Sequence, residues 1–249
     1  MICPKCKKEL IKNVNTYQCE NHHSYDISKS GYINLLLNSK NSGDNKEMIN
    51  ARNQFLNKNY YLPLKEKIDN IIKSLNVKHI IDIGCGDGYF DKGIDNLVGV
   101  DISKEAIIKA SKNNKKGFYI VSSGFNLPFS DNEFDLIINI FAPHDEKEFT
   151  RVCKKYILKV VPNKNHLIEL KQLLYNDVHL KEEKHLNFKE FKEIKEYNVT
   201  YQVMIEDLYE LVLMTPYFYT SNINKDLLDS NKGTLITCDF SIFLYEKII

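Results

Sequence analysis

The sequence predicts an α/β fold, a parallel sheet wound with helices, with a small metal-binding module in front of it. Three observations support this prediction. Short apolar segments alternate with helical ones after Lys78, a glycine-rich turn follows the first of them, and cysteines and histidines crowd the first 23 positions. The 249 residues suffice for one domain plus a small module, which is the arrangement we expect.

The composition is that of an ordinary globular protein, with 27% charged and 43% hydrophobic residues. No apolar run approaches the roughly 20 residues that a membrane-spanning helix needs. Met1 is followed by polar and cysteine residues instead of a basic and then an apolar segment, so no secretory signal is expected. We therefore expect a cytoplasmic protein with no membrane partner, whose six cysteines are thiols or metal ligands.

The charge gives little indication of a partner. A net charge of +1 neither requires nor excludes nucleic acid. Residues 1–60 hold nine Lys or Arg against five Asp or Glu, a local net charge of +4. Lys, Asn and Ile are abundant throughout, however, and Arg52 and Arg151 are the only arginines. A lysine-rich stretch is therefore only a weak indication of RNA binding.

The front of the chain has the ligand spacing of a zinc site. Cys3 and Cys6 form a C-x2-C pair, and twelve residues later Cys19 and His23 form C-x3-H. Two such pairs on a small hairpin provide the four ligands that tetrahedral zinc binds. His22 competes with His23, because neighbouring side chains of an extended segment point in opposite directions and only one can face the metal. Spacing alone does not decide between them.

The predicted zinc site is structural. A redox C-x2-C pair would open a helix after a strand, and the two residues before Cys3 leave no room for that strand. Four protein ligands leave no open position for a substrate, so the metal should hold together a module too small to have its own core. Ile11, Val14 and Tyr17 are expected to cover it.

Two amphipathic helices are predicted between the module and the α/β domain. Residues 38–47 are polar and are predicted to form a linker, and Asp44 with Glu47 has the spacing of a helix N-terminal cap. The apolar faces that follow are Met48, Ala51, Phe55 and Leu56 in the first helix, and Ile68, Ile71, Ile72 and Leu75 in the second. We expect residues 1–37 to form the zinc module, residues 38–76 a helical extension and residues 77–249 the α/β domain.

The glycine-rich turn follows the strand that is predicted to end at Ile83. It has the form acid-x-G-x-G-x-G and comprises Asp82, Gly84, Gly86 and Gly88. Glycine is needed where the backbone turns sharply or a ligand lies directly against it. A dinucleotide-binding turn would be G-x-G-x-x-G, and Tyr89 stands where its third glycine would be. The observed form instead resembles the first motif of the class I S-adenosylmethionine-dependent methyltransferases.

That resemblance implies an acidic residue at the end of the second strand, where it accepts hydrogen bonds from the ribose of the methyl donor. The segment LVGVDIS (97–103) supplies it as Asp101, nineteen residues after Asp82. Together the two motifs predict S-adenosyl-L-methionine as the cofactor.

The remaining segments complete the predicted sheet. Ser103 should cap the helix after the second strand. Further strands are predicted at 118–121 and 134–141, and the late alternations 197–205 and 234–245 predict an antiparallel hairpin. Ligands bind at the carboxyl ends of parallel strands, so the residues that follow the fourth strand should face the substrate: Ala142, Pro143 and His144.

The whole chain resembles the RlmA family, bacterial methyltransferases that modify N1 of a guanine in 23S ribosomal RNA. The resemblance rests on the C-x2-C-x12-C-x3-H module, the glycine turn and the segments YDISKSGYINLL, GDNKEMINARNQFLNKNYYLPL, LPFSDNEFDLIINIFAP, NHLIELKQLLYNDVHL and LVLMTPYFY. It implies methylation of a guanine in a 23S rRNA hairpin loop, with the zinc module recognising RNA and two subunits forming a homodimer.

The resemblance also implies roles for particular residues. The family's fourth zinc ligand falls on His23. The methyl donor would be lined by Tyr61, by the turn from Gly84 to Phe90, which includes Tyr89, by Asp101 and by His166. One departure is that the interval between the turn and Asp101 is short, so the first helix of the domain is expected to have only about two turns.

The proton acceptor is not assigned by the sequence. Guanine N1 bears a proton and is buried in a base pair, so the base must be unpaired or flipped and its proton must be taken. His144 is one candidate by its location and is equally compatible with a surface role. Two alternatives stay open: a small-molecule methyltransferase with an accessory zinc module, and a non-catalytic RNA-binding protein.

Overall fold

The computed structural model describes residues 1–37, 45–175, 178, 188–221 and 223–248. Its front carries four short strands: β1 (Ile11–Asn13), β2 (Thr16–Gln18), β3 (Ser24–Asp26) and β4 (Ile33–Asn34). The first three form a small antiparallel sheet in the order β1-β2-β3. Most of the predicted linker, residues 38–44, lies outside the described residues.

Two helices follow, α1 (Lys46–Asn57) and α2 (Leu62–Leu75). Asn45 caps α1, since its side chain accepts a hydrogen bond from the Met48 N–H at 2.9 Å. The predicted cap, Asp44, lies outside the described residues. The predicted apolar faces are buried in both helices apart from a half-buried Leu75, so the amphipathic interpretation is confirmed.

Seven more strands build the large sheet together with β4. They are β5 (Ile80–Ile83), β6 (Leu97–Asp101), β7 (Phe118–Val121), β8 (Phe134–Ile140), β9 (Cys153–Pro162), β10 (Phe191–Ile205) and β11 (Thr234–Lys247). The order across the sheet is β10-β11-β9-β8-β5-β6-β7-β4. Strands β5 to β9 pair in parallel, and β10 and β11 form an antiparallel hairpin. The predicted α/β class is confirmed.

The other helices are α3 (Lys104–Asn113), α4 (Glu146–Val152), α5 (Ile168–Leu174), α6 (Leu208–Leu213), α7 (Tyr217–Thr220) and α8 (Lys225–Ser230). Ser103 caps α3 as predicted, accepting from the Ala106 N–H. The prediction of a short helix between the glycine turn and β6 was wrong, because residues 89–96 form turns. Gly93 and Asn96 take positive φ angles of 88° and 56° there, which interrupt a right-handed helix.

The sheet order creates a crevice. From β5 the chain goes first to β6 on one side and later to β8 on the other, so the order reverses between β5 and β8. The loops after these two strands therefore diverge at the carboxyl ends of the strands, which is where ligands bind in such sheets. In the described part of the chain, no helix has the length and apolar character to cross a bilayer.

The front module is attached to the large sheet. Strand β4 pairs in parallel with β7, with Ile33 opposite Ile120. The Ile2 N–H donates to the Pro128 carbonyl at 2.8 Å, and Lys7 Nζ donates to Asn126 Oδ1 at 3.0 Å. Cys3, Leu10 and Cys19 belong to the same buried cluster as core residues of one sheet face. The module thus shares its core with the α/β domain.

Candidate active site and metal centre

The four predicted zinc ligands converge. One ligand atom from each of Cys3, Cys6, Cys19 and His23 lies within 4.8 Å of the others. His23 Nδ1 is 3.5 Å from Cys3 Sγ and 3.4 Å from Cys19 Sγ, and the Cys6 and Cys19 sulfurs are 3.5 Å apart. These separations suit four ligands about 2.0 to 2.3 Å from one central zinc ion. His22 is exposed, with a φ of 60°.

Tyr25 supports the cluster from outside, with its hydroxyl 3.5 Å from Cys3 Sγ. Burial opposes ionisation of Cys3, but hydrogen bonds from Tyr25 and from the backbone of Cys6 and Lys5 outweigh it and lower the pKa of this thiol to about 6. Near neutral pH this cysteine is therefore in the thiolate form that binds a metal.

The prediction that Ile11, Val14 and Tyr17 cover the metal cluster was partly wrong. Ile11 is 66% exposed and Val14 is 84% exposed. Val14 lies in the two-residue turn between β1 and β2, where its side chain is left in solvent. Tyr17 is half-buried and packs against Phe118 of the core instead, with ring centroids 6.0 Å apart.

The glycine turn lies at the carboxyl end of β5, and its three glycines face different neighbours. All three have positive φ: 83° at Gly84, 56° at Gly86 and 73° at Gly88. A Cβ on Gly84 would lie 2.3 Å from Ala142 Cβ, and one on Gly88 would lie 3.0 Å from Ala110 Cβ. A Cβ on Gly86 would meet nothing closer than an Arg52 nitrogen at 3.9 Å. The space over Gly86 is therefore the part of the turn that a ligand can approach.

Asp101 anchors this turn. The Gly86 N–H donates to Asp101 Oδ2 at 2.9 Å, and the Ser103 N–H donates to Oδ1 at 2.8 Å. A carboxylate oxygen has two lone pairs and can accept more than one hydrogen bond. A half-buried carboxylate beside an open glycine backbone fits the ribose of S-adenosylmethionine.

Asp82 lies beneath the turn and is paired with Asp91. The two side chains are 2% and 0% exposed. Burial, and then the charge and hydrogen bond of Asp91, raise the pKa of Asp82 well above its usual range. Burial also raises the pKa of Asp91 to about 6, although hydrogen bonds from Asp82 and Tyr119 oppose the increase. The pair therefore holds a proton in the folded protein.

This pair predicts a pH dependence of stability. Both folded-state pKa values exceed the ordinary value of about 4, so the folded state binds more protons than the unfolded state and stability falls as pH rises from about 4 through 6 and beyond. Asp82→Asn keeps a hydrogen-bond donor toward Asp91 without a titrating acid. We expect its melting temperature to fall less between pH 5 and pH 8 than that of the unmodified protein.

Thermal unfolding monitored by circular dichroism at several pH values measures this difference. Asp95→Asn removes a carboxylate whose side chain is 65% exposed and is the matched control. A control profile as flat as that of Asp82→Asn would contradict the role of the buried pair.

Tyr61 and His166, which the family resemblance suggested, are in contact. Tyr61 Oη lies 3.3 Å from His166 Nε2, and the Asp239 N–H donates to His166 Nδ1 at 3.3 Å. Burial, with a contribution from Lys171, lowers the pKa of His166 to about 3, so the ring is neutral at physiological pH. The neutral ring then carries its proton on Nε2 and donates it to Tyr61. This leaves the Tyr61 hydroxyl proton for another acceptor.

Aromatic rings line the crevice near this pair. Phe240 is fully buried, and its ring centroid is 5.2 Å from that of Tyr61 and 4.5 Å from that of His166. Phe90 is half-buried and packs on Tyr89, which is 4% exposed. The predicted donor-site residues of this region therefore form two groups. Asp82, Gly88 and Tyr89 are buried and pack beneath the turn. Gly86, Phe90 and Asp101 are half-buried and border accessible space.

Sequence reasoning missed four residues around the crevice: Arg52, Asn139, Phe141 and Lys159. Asn139 Nδ2 donates to the Ile83 carbonyl at 2.6 Å, and Lys159 Nζ donates to Asn139 Oδ1 and, at 2.6 Å, to the Ala142 carbonyl. Each of these two polar side chains lies between two apolar residues of its strand, which is a signal that the sequence contains.

The fold and these two sites define a methyltransferase that uses S-adenosylmethionine and carries a zinc ribbon. The N-terminal zinc-ribbon model of RlmA matches residues 1–42, and a methyltransferase-domain model matches residues 81–161. Among solved structures, a candidate methyltransferase from Bacillus halodurans C-125 has a TM-score of 0.51 at 12% identity, covering 74% of this chain and 100% of that one. That likeness concerns the fold.

Two curated relatives extend the match. YxjB of Bacillus subtilis strain 168, described as a candidate 23S rRNA (guanine-N(1)-)-methyltransferase, is 32% identical over 193 residues, which cover 70% of this chain and 68% of that protein. The 23S rRNA (guanine(748)-N(1))-methyltransferase of Streptomyces fradiae is 29% identical over 182 residues, covering 68% and 65%. The chain belongs to the RlmA methyltransferase family. Its matches span about two thirds of the length of these relatives.

Proposed function

We propose that this protein transfers a methyl group from S-adenosylmethionine to N1 of a guanine in a hairpin loop of 23S ribosomal RNA. One observation carries the proposal. The pairing of β4 with β7 attaches the module that contains the zinc-ligand cluster to the sheet that carries the glycine turn. A small-molecule enzyme would have no use for such an attached module. The names of the two curated relatives support the guanine N1 position.

The proposed donor site consists of nine residues. Gly86 and Asp101 offer an open backbone and a carboxylate, and Tyr61 offers a hydroxyl oriented by His166. When bound there, the sulfonium supplies a methyl group activated for transfer. The full set is Tyr61, Asp82, Gly84, Gly86, Gly88, Tyr89, Phe90, Asp101 and His166.

The proposed zinc ligands are Cys3, Cys6, Cys19 and His23, and the role of the ion is structural. The proposed division places the RNA-recognition module in residues 1–37, a helical extension in residues 38–76 and the methyltransferase domain in residues 77–249. The exposed Lys5 and Lys12 of the module, together with the local net charge of +4 in residues 1–60, suit contact with RNA phosphates. We further propose, from the family resemblance, that the protein is a homodimer and acts in the cytoplasm.

The chain's own residues must position the guanine and accept its N1 proton. His144 follows β8 and is half-buried, with its ring centroid 5.6 Å from that of Phe188. Burial and the nearby cation of Lys159 lower the pKa of His144, so the ring is neutral near pH 7 and can take a proton. His144→Ala in a single-turnover assay tests this role, and full retention of the methylation rate would exclude it.

The test of the proposed function uses the purified protein, labelled S-adenosylmethionine and unmodified 23S rRNA. Mass spectrometry of nuclease fragments should show one N1-methylguanosine in a hairpin loop. Donor binding by calorimetry without any transfer to this RNA would overturn the proposal and favour a different methyl acceptor.

A further inference from the structure

We propose that Phe141 is the aromatic platform on which the target guanine stacks. This inference rests on the proposed function and adds a substrate-binding residue to it. Phe141 is the residue that follows β8, at the carboxyl ends of the parallel strands. It therefore lies in the loop that borders the crevice between β5 and β8.

The Phe141 ring is only partly packed. Its centroid is 5.3 Å from that of Phe240, 6.3 Å from that of Tyr61 and 6.4 Å from that of Phe90. The residue nevertheless remains 42% exposed. Its neighbours thus support the ring within the aromatic lining of the crevice while leaving part of it open. A guanine that leaves its base pair needs such a surface, because unpaired bases stack on aromatic side chains.

The backbone of Phe141 is strained. Its φ is 54°, a left-handed conformation that is costly for residues with a Cβ and that glycine or asparagine adopts more readily. The strained backbone therefore carries a ring that stays 42% exposed. Strain of this kind concentrates at functional sites, where the surrounding structure holds it in place.

Hydrogen bonds hold this conformation on both sides. The Phe141 N–H donates to the Val160 carbonyl at 3.1 Å. Lys159 fixes the next carbonyl, that of Ala142, and Asn139 Nδ2 donates to the Pro143 carbonyl at 3.3 Å. The loop that carries the ring is therefore preorganised.

The same loop touches the donor turn. Ala142 Cβ lies 2.3 Å from where a Cβ on Gly84 would be, so the residue next to Phe141 packs directly on the glycine backbone. A base stacked on Phe141 is thus held beside the turn proposed to bind the methyl donor. This juxtaposition is what transfer to a ring nitrogen requires.

The test compares Phe141→Ala, Phe141→Leu and Phe141→Tyr, with Ile194→Ala as the matched control. Ile194 is 44% exposed and lies on β10, near the end that pairs with the last residues of β11. Single-turnover methylation of the 23S rRNA hairpin and donor affinity by calorimetry are measured for each variant. We expect kcat/KM for RNA to fall about ten- to a hundredfold in the Ala and Leu variants, since base stacking on an aromatic ring contributes that much.

The Tyr variant should stay within about threefold of the unmodified protein, and the control and all donor affinities should be unchanged. Full activity of Phe141→Leu would overturn the inference, because leucine fills space without offering an aromatic face. A matching loss of donor affinity would also overturn it, by assigning the ring to the donor site. Failure of the unmodified protein to methylate the RNA would instead remove the proposed function and this inference with it.

Discussion

Gly84→Ala is expected to destabilise the protein by roughly 2–5 kcal/mol and to abolish binding of the methyl donor. The new methyl group would lie 2.3 Å from Ala142 Cβ, and the φ of 83° is unfavourable for alanine. Relief of the clash would move the loop after β8 away from the turn, or distort the turn itself. Urea unfolding and calorimetric titration with S-adenosylmethionine measure the two effects.

Gly93→Ala measures the conformational part of this effect without the steric clash. Its φ is 88°, close to that of Gly84, but no atom lies within 4 Å of its Cβ position. We expect it to cost about 1–2 kcal/mol, the conformational penalty alone, and to preserve donor binding. Equal costs at the two positions would contradict the close packing of the turn against Ala142.

His23→Ala is expected to remove the zinc ion and unfold the front module. A structural zinc site contributes its binding energy directly to folding, and three thiolates alone leave the coordination shell incomplete. We expect the purified variant to contain much less than one zinc per chain and to lose methylation of 23S rRNA. Metal content by mass spectrometry and a methylation assay measure these outcomes.

His22→Ala is the matched control, because this neighbouring histidine is exposed and lies outside the ligand cluster. It should keep one zinc per chain and full activity. Loss of zinc from both variants, or from His22→Ala alone, would contradict the assignment of the fourth ligand.

Local signals predicted much of the fold. The strand ending at Ile83, the cap at Ser103 and the late hairpin follow from patterns within a few residues, and the structure agrees with them. The prediction of a short helix before β6 was wrong, because the positive φ angles at Gly93 and Asn96 stop it. The prediction that Ile11 and Val14 cover the metal cluster was wrong. Leu10 and residues of the domain core pack with Cys3 and Cys19 instead, and this tertiary packing is not visible in the local sequence.

The site was less predictable, because its contacts join distant segments. Tyr61 and His166 are 105 positions apart, and no pattern within either segment indicates their contact. The pairing of Asn139 with Lys159 depends on the neighbouring positions of β8 and β9. The exposure and positive φ of Phe141 occur in a loop held by hydrogen bonds from Lys159 and Asn139, and such contacts between side chains and a distant or neighbouring backbone are not visible in the sequence.

The pairing of β4 with β7 also bears on self-association. A terminal strand with free backbone groups is a template for another chain, and proteins commonly cover such strands. Here Ile33 and Asn34 pair with Ile120 and Val121, so a strand next to the zinc cluster closes that side of the sheet. We expect loss of the metal to loosen β4 and to expose the edge of β7 to a second molecule. A zinc-free preparation should therefore aggregate more readily than the zinc-bound protein.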